Sequence, residues 1–246
     1  MKINILTLFP EMFAPIRASM LGRAQEKGIL EVTLTDIRAF SRNKHKKTDD
    51  YPFGGGGGMV MTPDPIFGAI ESLDRVGKLI YMSPRGKILD EAKARELSQL
   101  SDITILCGHY EGVDQRVLDY WDAEEISIGD YVLTGGELPA MVLIDCVARM
   151  LPGVLGNACS AMEESIYSGL LEHPQYTQPR EYRGLEVPEV LLNGNHKLIN
   201  LWKLENSLKL TKEIRPDLFE EYVNNHGELT KEERKLLDEI IKLQEQ

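Results

Sequence analysis

Through the first 150 residues, short apolar runs alternate with longer stretches of helical periodicity. The β-rich runs fall at 3–8, 30–36, 78–82, 103–107 and 126–133. Between them, helical patterns lie at about 10–27, 65–74, 90–100, 112–121 and 137–151. Strand–helix alternation of this kind predicts an α/β fold with a parallel sheet and helices on its faces. Ligands in such folds bind in loops beyond the carboxyl ends of the strands. Gly108 and the pair Gly135–Gly136 fall at or shortly after such ends.

The pattern then changes. Pro152-Gly153-Val154-Leu155-Gly156 stops the last of these helices, and the small and polar residues from Asn157 to Ser168 read as a linker. An irregular stretch from His173 to Pro188 precedes helical patterns at about 195–208, 216–224 and 230–244, with few strand signals. The expected organisation is an α/β domain over 1–156, a linker over 157–168 and a small helical domain over 169–246. The helix at 137–151 is apolar nearly all round, from Leu138 to Leu151. Such a helix is buried, either in a core or in a subunit interface.

Composition narrows the class. Hydrophobic residues make up 42% and charged residues 27%, as in ordinary soluble globular proteins. Cys107, Cys146 and Cys159 form an odd set without C-x-x-C spacing, which argues against a disulfide framework and predicts a reducing, cytoplasmic setting. No apolar run approaches a membrane span. The segment Met1–Pro10 reads as a first buried strand; its apolar part is too short and interrupted for a signal peptide. A net charge of −11 disfavours non-specific coating of nucleic acid but allows local basic patches. Two exist. Arg38, Arg42, Lys44, Lys46 and Lys47 cluster without an acid, and Lys197–Arg215 carries five basic residues against Glu205 and Glu213. Taken alone, each is a solvated face before it is a phosphate contact.

Candidate chemistry concentrates in glycine-rich loops. Ser127–Pro139 reads as strand, Gly-Gly turn and helix start, with almost no reactive side chain. Such a segment lets a ligand touch the main chain. Leu106–Gly112 and Ser83-Pro84-Arg85-Gly86 supply two more loops on the same side of the sheet. The run Gly54–Gly58 is followed by Met59 where a phosphate-binding P-loop needs Gly-Lys-Ser/Thr, so it reads as a flexible turn or a close backbone approach. Cys107 and His109, without a second pair, are not a metal site. Glu111 suits contact with a cationic ligand. Arg149 stands four residues after Asp145, spaced either for a helix ion pair or for a polarised substrate oxygen. Glu163 and Glu164 in the linker are solvated acids, or a general base assembled when substrate orders the loop.

With these residues in view, the chain resembles the bacterial tRNA (guanine-N1)-methyltransferases of the SPOUT class, which modify guanine 37 beside the anticodon. The resemblance runs essentially end to end. It covers Leu8-Phe9-Pro10-Glu11-Met12-Phe13, Asp49-Asp50, Ser83-Pro84, the segment Cys107–Gly112, the segment Ser127–Ala140 and Pro152–Gly156. It continues through Glu186-Val187-Pro188, Val190-Leu191-Leu192, Gly194-Asn195-His196 and Trp202.

The resemblance implies a deep trefoil knot around residues 81–139, S-adenosylmethionine as methyl donor and a homodimer with active sites at the subunit interface. It also implies Mg2+ as an assisting ion, although no dedicated metal cage stands out. Main-chain contacts to the donor are implied for Gly108 and for Ser127, Ile128, Gly129, Asp130, Tyr131, Val132 and Leu133. Tyr81, Ser83, Pro84, Tyr110, Gly112, Gly135, Gly136 and Pro139 are implied to line the same pocket, with Glu111 near the methionine portion. Arg149 matches the arginine that meets charge on the guanine. Where the family carries an aspartate base in a Glu-Asp-Ser context, this chain has Glu163-Glu164-Ser165, so Glu164 takes that place. Contacts to the tRNA anticodon arm are implied for Arg42, Lys44, His45, Lys46, Asp49, Ser165, Asn195 and His196. Two other readings are weighed beside this one. They are an enzyme of the same class acting on another RNA position, and a non-catalytic RNA-binding relative; the carboxy-terminal similarity and the retained Arg149 and carboxylate speak against them.

Overall fold

The computed structural model describes residues 1–155 and 168–242, in two units that divide after residue 158. Most of the expected linker, together with Cys159, Glu163, Glu164 and Ser165, lies outside the described residues.

The amino-terminal unit is built on five parallel strands: β1 (Lys2–Thr7), β2 (Glu31–Asp36), β5 (Lys78–Ile88), β6 (Asp102–Cys107) and β7 (Glu124–Ser127). They lie in the order β2-β1-β6-β5-β7. Two short strands, β3 (Asp49–Asp50) and β4 (Val60–Met61), pair antiparallel beside them. Helices α1 (Ser19–Glu26), α2 (Pro63–Glu71), α3 (Glu91–Ser98), α4 (Gln115–Tyr120) and α5 (Glu137–Arg149) complete the unit. The carboxyl ends of β1, β6, β5 and β7 therefore face one edge.

Alternation along each strand divides the core into two layers. Ile3, Ile5, Ile80, Met82, Ile103, Ile105 and Ile126 meet Ala24, Leu97, Leu143 and Val147 on one side. Leu6, Leu79, Tyr81 and Leu106 meet Ile66, Ile70 and Val117 on the other. The inner strands β1, β6 and β5 are thus buried on both faces, which is why they read as largely apolar runs.

Several boundaries differ from the sequence expectation. The segment 10–27 is a 3-10 helix, Pro10–Arg17, followed by α1. Pro15 interrupts the pattern, Ala18 is extended and Ser19 has φ of 53°. The expected strand at 126–133 ends at Ser127 instead. Gly129 has φ of 149°, Tyr131 N–H donates to the Gly129 carbonyl at 2.9 Å, and the run continues as turns. Strand β5 is longer than 78–82. Its register against β7 shifts between Met82 and Lys87, so Ser83–Gly86 bulges outward and Ile88 pairs again with Ser127. Helix α5 is not buried all round. Ala140, Leu143, Ile144, Val147 and Ala148 are enclosed, whereas Leu138 and Val142 are 49% and 42% exposed.

The carboxy-terminal unit holds α6 (His196–Ile214), α7 (Pro216–Asn225) and α8 (Lys231–Lys242) around Leu170, Leu208, Phe219, Leu237 and Ile240. It also holds a two-stranded hairpin, β8 (Glu181–Tyr182) and β9 (Leu185–Glu186), turned through Arg183 and Gly184 with φ of 56° and 79°. Helix α6 runs past residue 208 until Pro216 forces Arg215 out of helical geometry. Its start is fixed by Asn195, whose side-chain oxygen accepts from the Lys197 and Leu198 N–H groups at 3.2 and 3.3 Å.

Asn195→Ala should cost about 1 kcal/mol of stability, the usual price of a lost N-cap. Urea denaturation should show a lower midpoint with an unchanged slope.

Candidate functional site

At the carboxyl edge of the sheet, three loops enclose a cavity of about 360 Å³. That lies at the small end of the ~300–1,000 Å³ usual for small-molecule sites. One wall is the bulge after Met82, a second is Gly108–Val113, and the third runs from Ser127 to Gly136 and Pro139. The first wall interrupts β5 and the other two follow directly from the ends of β6 and β7, so the rigid sheet sets their positions.

Two of the walls touch main chain to main chain. The Gly136 N–H donates to the Gly108 carbonyl at 2.9 Å, and His109 pairs antiparallel with Gly135. A Cβ on Gly136 would stand 2.7 Å from the Cys107 Cα and 2.9 Å from the Gly108 nitrogen. A Cβ on Gly108 would meet the Tyr81 ring and hydroxyl at 2.8 Å. Glycine is required at these positions by close approach, not by backbone dihedrals. Burial, and then the charge of Glu125, push the Tyr81 phenol above its ordinary value, so it stays a neutral polar floor to the cavity.

The wall at Ser127–Leu133 is held by local bonds. Ser127 Oγ accepts from the Gly129 N–H at 3.1 Å, and the Tyr131 hydroxyl donates to the Ile128 carbonyl at 3.2 Å. The middle wall is pinned to β4 and the residues before it. Glu111 N–H donates to the Met59 carbonyl and Met61 N–H to the Gly112 carbonyl, both at 2.9 Å. Gly58 therefore lies against Glu111: a Cβ there would meet Glu111 Oε1 at 2.4 Å. The rest of the glycine run, Gly54–Gly57, touches nothing within 4 Å of such a Cβ.

A family model described as tRNA (guanine-1)-methyltransferase TrmD matches residues 1–221. The chain belongs to that family. It is accordingly an enzyme, a methyltransferase. Among curated relatives, a tRNA (guanine-N(1)-)-methyltransferase of Clostridium acetobutylicum is 52% identical over 97% of both chains. One from Alkaliphilus oremlandii is 53% identical over 98% of both chains, and one from Halalkalibacterium halodurans is 52% identical over 100% of both.

Within this family member, the cavity gathers nearly all the residues expected at a donor site. Tyr81, Ser83, Pro84, Gly108, Tyr110, Glu111, Gly112, Ser127–Gly129, Tyr131–Leu133, Gly135, Gly136 and Pro139 line it; Asp130 does not. Arg85, His109 and Thr134, from the three loops expected to form the pocket, line it as well, although none was expected as a donor contact; Val113 and Gln115 line it without any such expectation. Arg85 crosses to Glu125 through two bonds of 3.0 and 3.2 Å, a contact between residues forty apart in sequence that only the β5 bulge creates. Cys107 is fully buried, and desolvation followed by the Glu137 charge pushes its thiol well up, which leaves it inert. Among the described residues, no three His, Cys, Asp or Glu side chains form a group able to hold a metal ion.

Outside the cavity, Arg149 ends α5, half-buried, where helix carbonyls favour a cation. Asp49, in β3, and Arg38 both reach Tyr110. Burial, then the Asp49 hydrogen bond and charge, raise that phenol, and Arg38 offsets them in part. Arg42, Lys44, His45 and Lys46 stand on an exposed loop, with Arg42 3.7 Å from Asp64 and Lys46 donating to the Ala39 and Ser41 carbonyls. The second basic segment is less free than its sequence implies. Lys197 pairs with Glu232, Lys209 with Glu205 and Arg215 with Asp217, while Lys212 caps carbonyls of α8. His196 is the first residue of α6, directly after its cap, and is exposed.

Gly136→Ala should weaken donor binding by about tenfold or more, because the added methyl meets backbone that cannot move aside. Isothermal titration with S-adenosylmethionine, the donor that the sequence resemblance implies, checks this; an unaltered affinity would show that the two walls separate without cost.

Proposed function

We propose that this enzyme transfers a methyl group from S-adenosylmethionine to N1 of guanine 37 in tRNA, in the cytoplasm. The cavity walled by the main chain of Gly108–Gly112 and Ile128–Gly136 carries the reading, together with family membership and the guanine-N(1) named for relatives sharing over half the sequence. A cavity of this size, with several glycines and backbone groups in its walls, fits a nucleoside-bearing donor. Glu111, at its rim, gives a carboxylate where the donor's cationic part would lie. Among the described residues, no group of side chains forms a cage for Mg2+.

S-adenosylmethionine supplies an electrophilic methyl on a sulfonium. The chain's own residues must make guanine N1 nucleophilic, because N1 holds a proton at neutral pH. Glu164 takes that proton, the N1–CH3 bond forms as the S–CH3 bond breaks, and the thioether leaves neutral. Negative charge shifts towards O6 as the proton departs, and the Arg149 guanidinium meets it there. Glutamate in place of the family's aspartate adds one methylene to the reach of the base.

The same reading extends to the chain path and the assembly. A trefoil knot around residues 81–139 is consistent with the contact of Cys107–His109 and Gly135–Gly136 across about thirty residues. A homodimer would cover Leu138 and Val142, which lie one turn apart on the open face of α5. The segment 38–47 and the carboxy-terminal unit, from two subunits, would hold the anticodon arm. There the first segment is the better phosphate contact, since the cations of α6 are largely paired. Asp49 and His45 belong near the target nucleotide, and Asn195 and His196, with Ser165, on the tRNA side.

Incubation with labelled S-adenosylmethionine and unmodified tRNA should yield 1-methylguanine on nucleoside analysis; label at another base would reject the assignment. Glu164→Gln should keep donor binding and slow single-turnover transfer by roughly 10²–10⁴-fold. Arg149→Ala should reduce the rate by about 10²–10³-fold with little change in donor affinity. Lys44→Glu with Lys46→Glu should weaken tRNA binding and flatten its salt dependence, and an unaltered slope would remove this loop from the RNA contact.

A further inference from the structure

Glu137 is the least expected residue near the cavity. It opens α5, yet only 1% of its side chain is exposed. Both oxygens are used. Oε1 accepts from the Thr7 hydroxyl at 2.6 Å, and Oε2 lies 2.7 Å from His109 Nε2. Thr7 ends β1, and its hydroxyl oxygen in turn accepts from the Phe9 N–H at 2.9 Å. The His109 ring packs on Phe9 with centroids 4.8 Å apart and borders the cavity. A buried carboxylate in such a position is not explained by stability, because apolar replacements of buried ionic groups are often neutral or stabilising.

Its place in the fold supplies the reason. Thr7 ends β1, beside the central strand β6; His109 belongs to the middle cavity wall and Glu137 to the helix that follows the third wall. The His109 side chain crosses directly over Gly135, where an added Cβ would stand 2.3 Å from its Cε1 and 2.7 Å from Glu137 Oε2. The carboxylate also sits at the amino end of α5, whose dipole favours negative charge. The main chain joins the two glycine walls through the Gly136–Gly108 bond and the His109–Gly135 bridge. The side-chain chain Thr7–Glu137–His109 fastens those same walls to β1.

We propose that Thr7, Glu137 and His109 form a positioning unit that fixes the separation of the two main-chain walls, so that Glu137 and His109 set donor affinity as a pair. The inference rests on the cavity being the S-adenosylmethionine site. Neither side chain takes part in methyl transfer; each acts through the backbone of Gly108–Gly112 and Gly135–Gly136.

The test is titration of the full-length chain with S-adenosylmethionine, with thermal unfolding recorded alongside. His109→Leu and Glu137→Met should each weaken binding by about tenfold, and the double variant by no more than about threefold beyond either. His109→Gln, which keeps an N–H donor able to reach Glu137, should restore affinity to within about threefold of the unaltered chain. Losses that multiply to roughly a hundredfold in the double variant, single variants with unaltered affinity, or a His109→Gln variant no better than His109→Leu would each overturn the pairing. If Glu137→Met does not fold, Thr7→Val replaces it and should again show a loss shared with His109→Leu rather than added to it. Failure of the unaltered chain to bind S-adenosylmethionine would instead overturn the reading of the cavity.

Discussion

The site depends on one close approach: the main chain of Gly136 lies against that of Cys107 and Gly108. Cys107 is the last residue of the central strand β6, and Gly136 immediately precedes α5. Their contact brings the start of a long helix onto the carboxyl end of the sheet. It also leaves room for no side chain, since a Cβ would stand within 3 Å of two backbone atoms. The loop 128–135 must therefore leave β7 and return across the strand ends, and the cavity is the space that this return encloses. Burial on both faces of β6 makes the anchor rigid, because Ile103, Ile105, Leu106 and Cys107 are all fully enclosed.

Backbone-lined walls suit a ligand recognised by its edges and shape. They also shift the burden of precision from side-chain rotamers to the placement of whole segments. This explains why so much of the polar chemistry near the cavity serves to hold main chain in place. Ser127 and Tyr131 bond within their own turn, Glu111 and Gly112 pair with Met59 and Met61, and Glu137 ties His109 to Thr7. Residues that would do chemistry on a base, Arg149 and Glu164, belong elsewhere in the chain. On the proposed reading, donor binding and base activation would be separable by mutation.

The sheet was legible in the sequence because its inner strands are buried on both faces, and Ile3–Leu6 and Ile103–Cys107 show this as apolar runs, each interrupted by one buried polar residue, Asn4 or Thr104. The second domain's helices were legible from their periodicity, and the start of α6 from Asn195. Boundaries governed by single dihedrals were not. The run Ile126–Leu133 is apolar enough to pass for one strand, yet Gly129 turns it after Ser127. The β5 bulge was equally hidden, because nothing in Ser83–Gly86 states that Ile88 will rejoin the ladder. Helix α5 shows the opposite limit: its composition is apolar all round, but only the packing reveals that Leu138 and Val142 form the open side.

Glu137 shows why some site residues escape any reading of one segment at a time. In sequence it is an acid after Gly-Gly, the normal company of a helix amino terminus, where its charge and exposure need no comment. Its partners lie 130 and 28 residues away, and only the parallel order β1-β6-β5 brings those strand ends together. The signal that could have found it is indirect. A glycine pair followed by an acid, in a loop already suspected of touching another backbone, leaves that acid little access to solvent. Once Gly135 and Gly136 are read as contact glycines, the next side chain must point into the same crowded space, and a carboxylate there requires donors. Thr7 and His109 are the donors the fold supplies. A buried acid directly after contact glycines therefore predicts a long-range hydrogen-bond partner even before its identity is known.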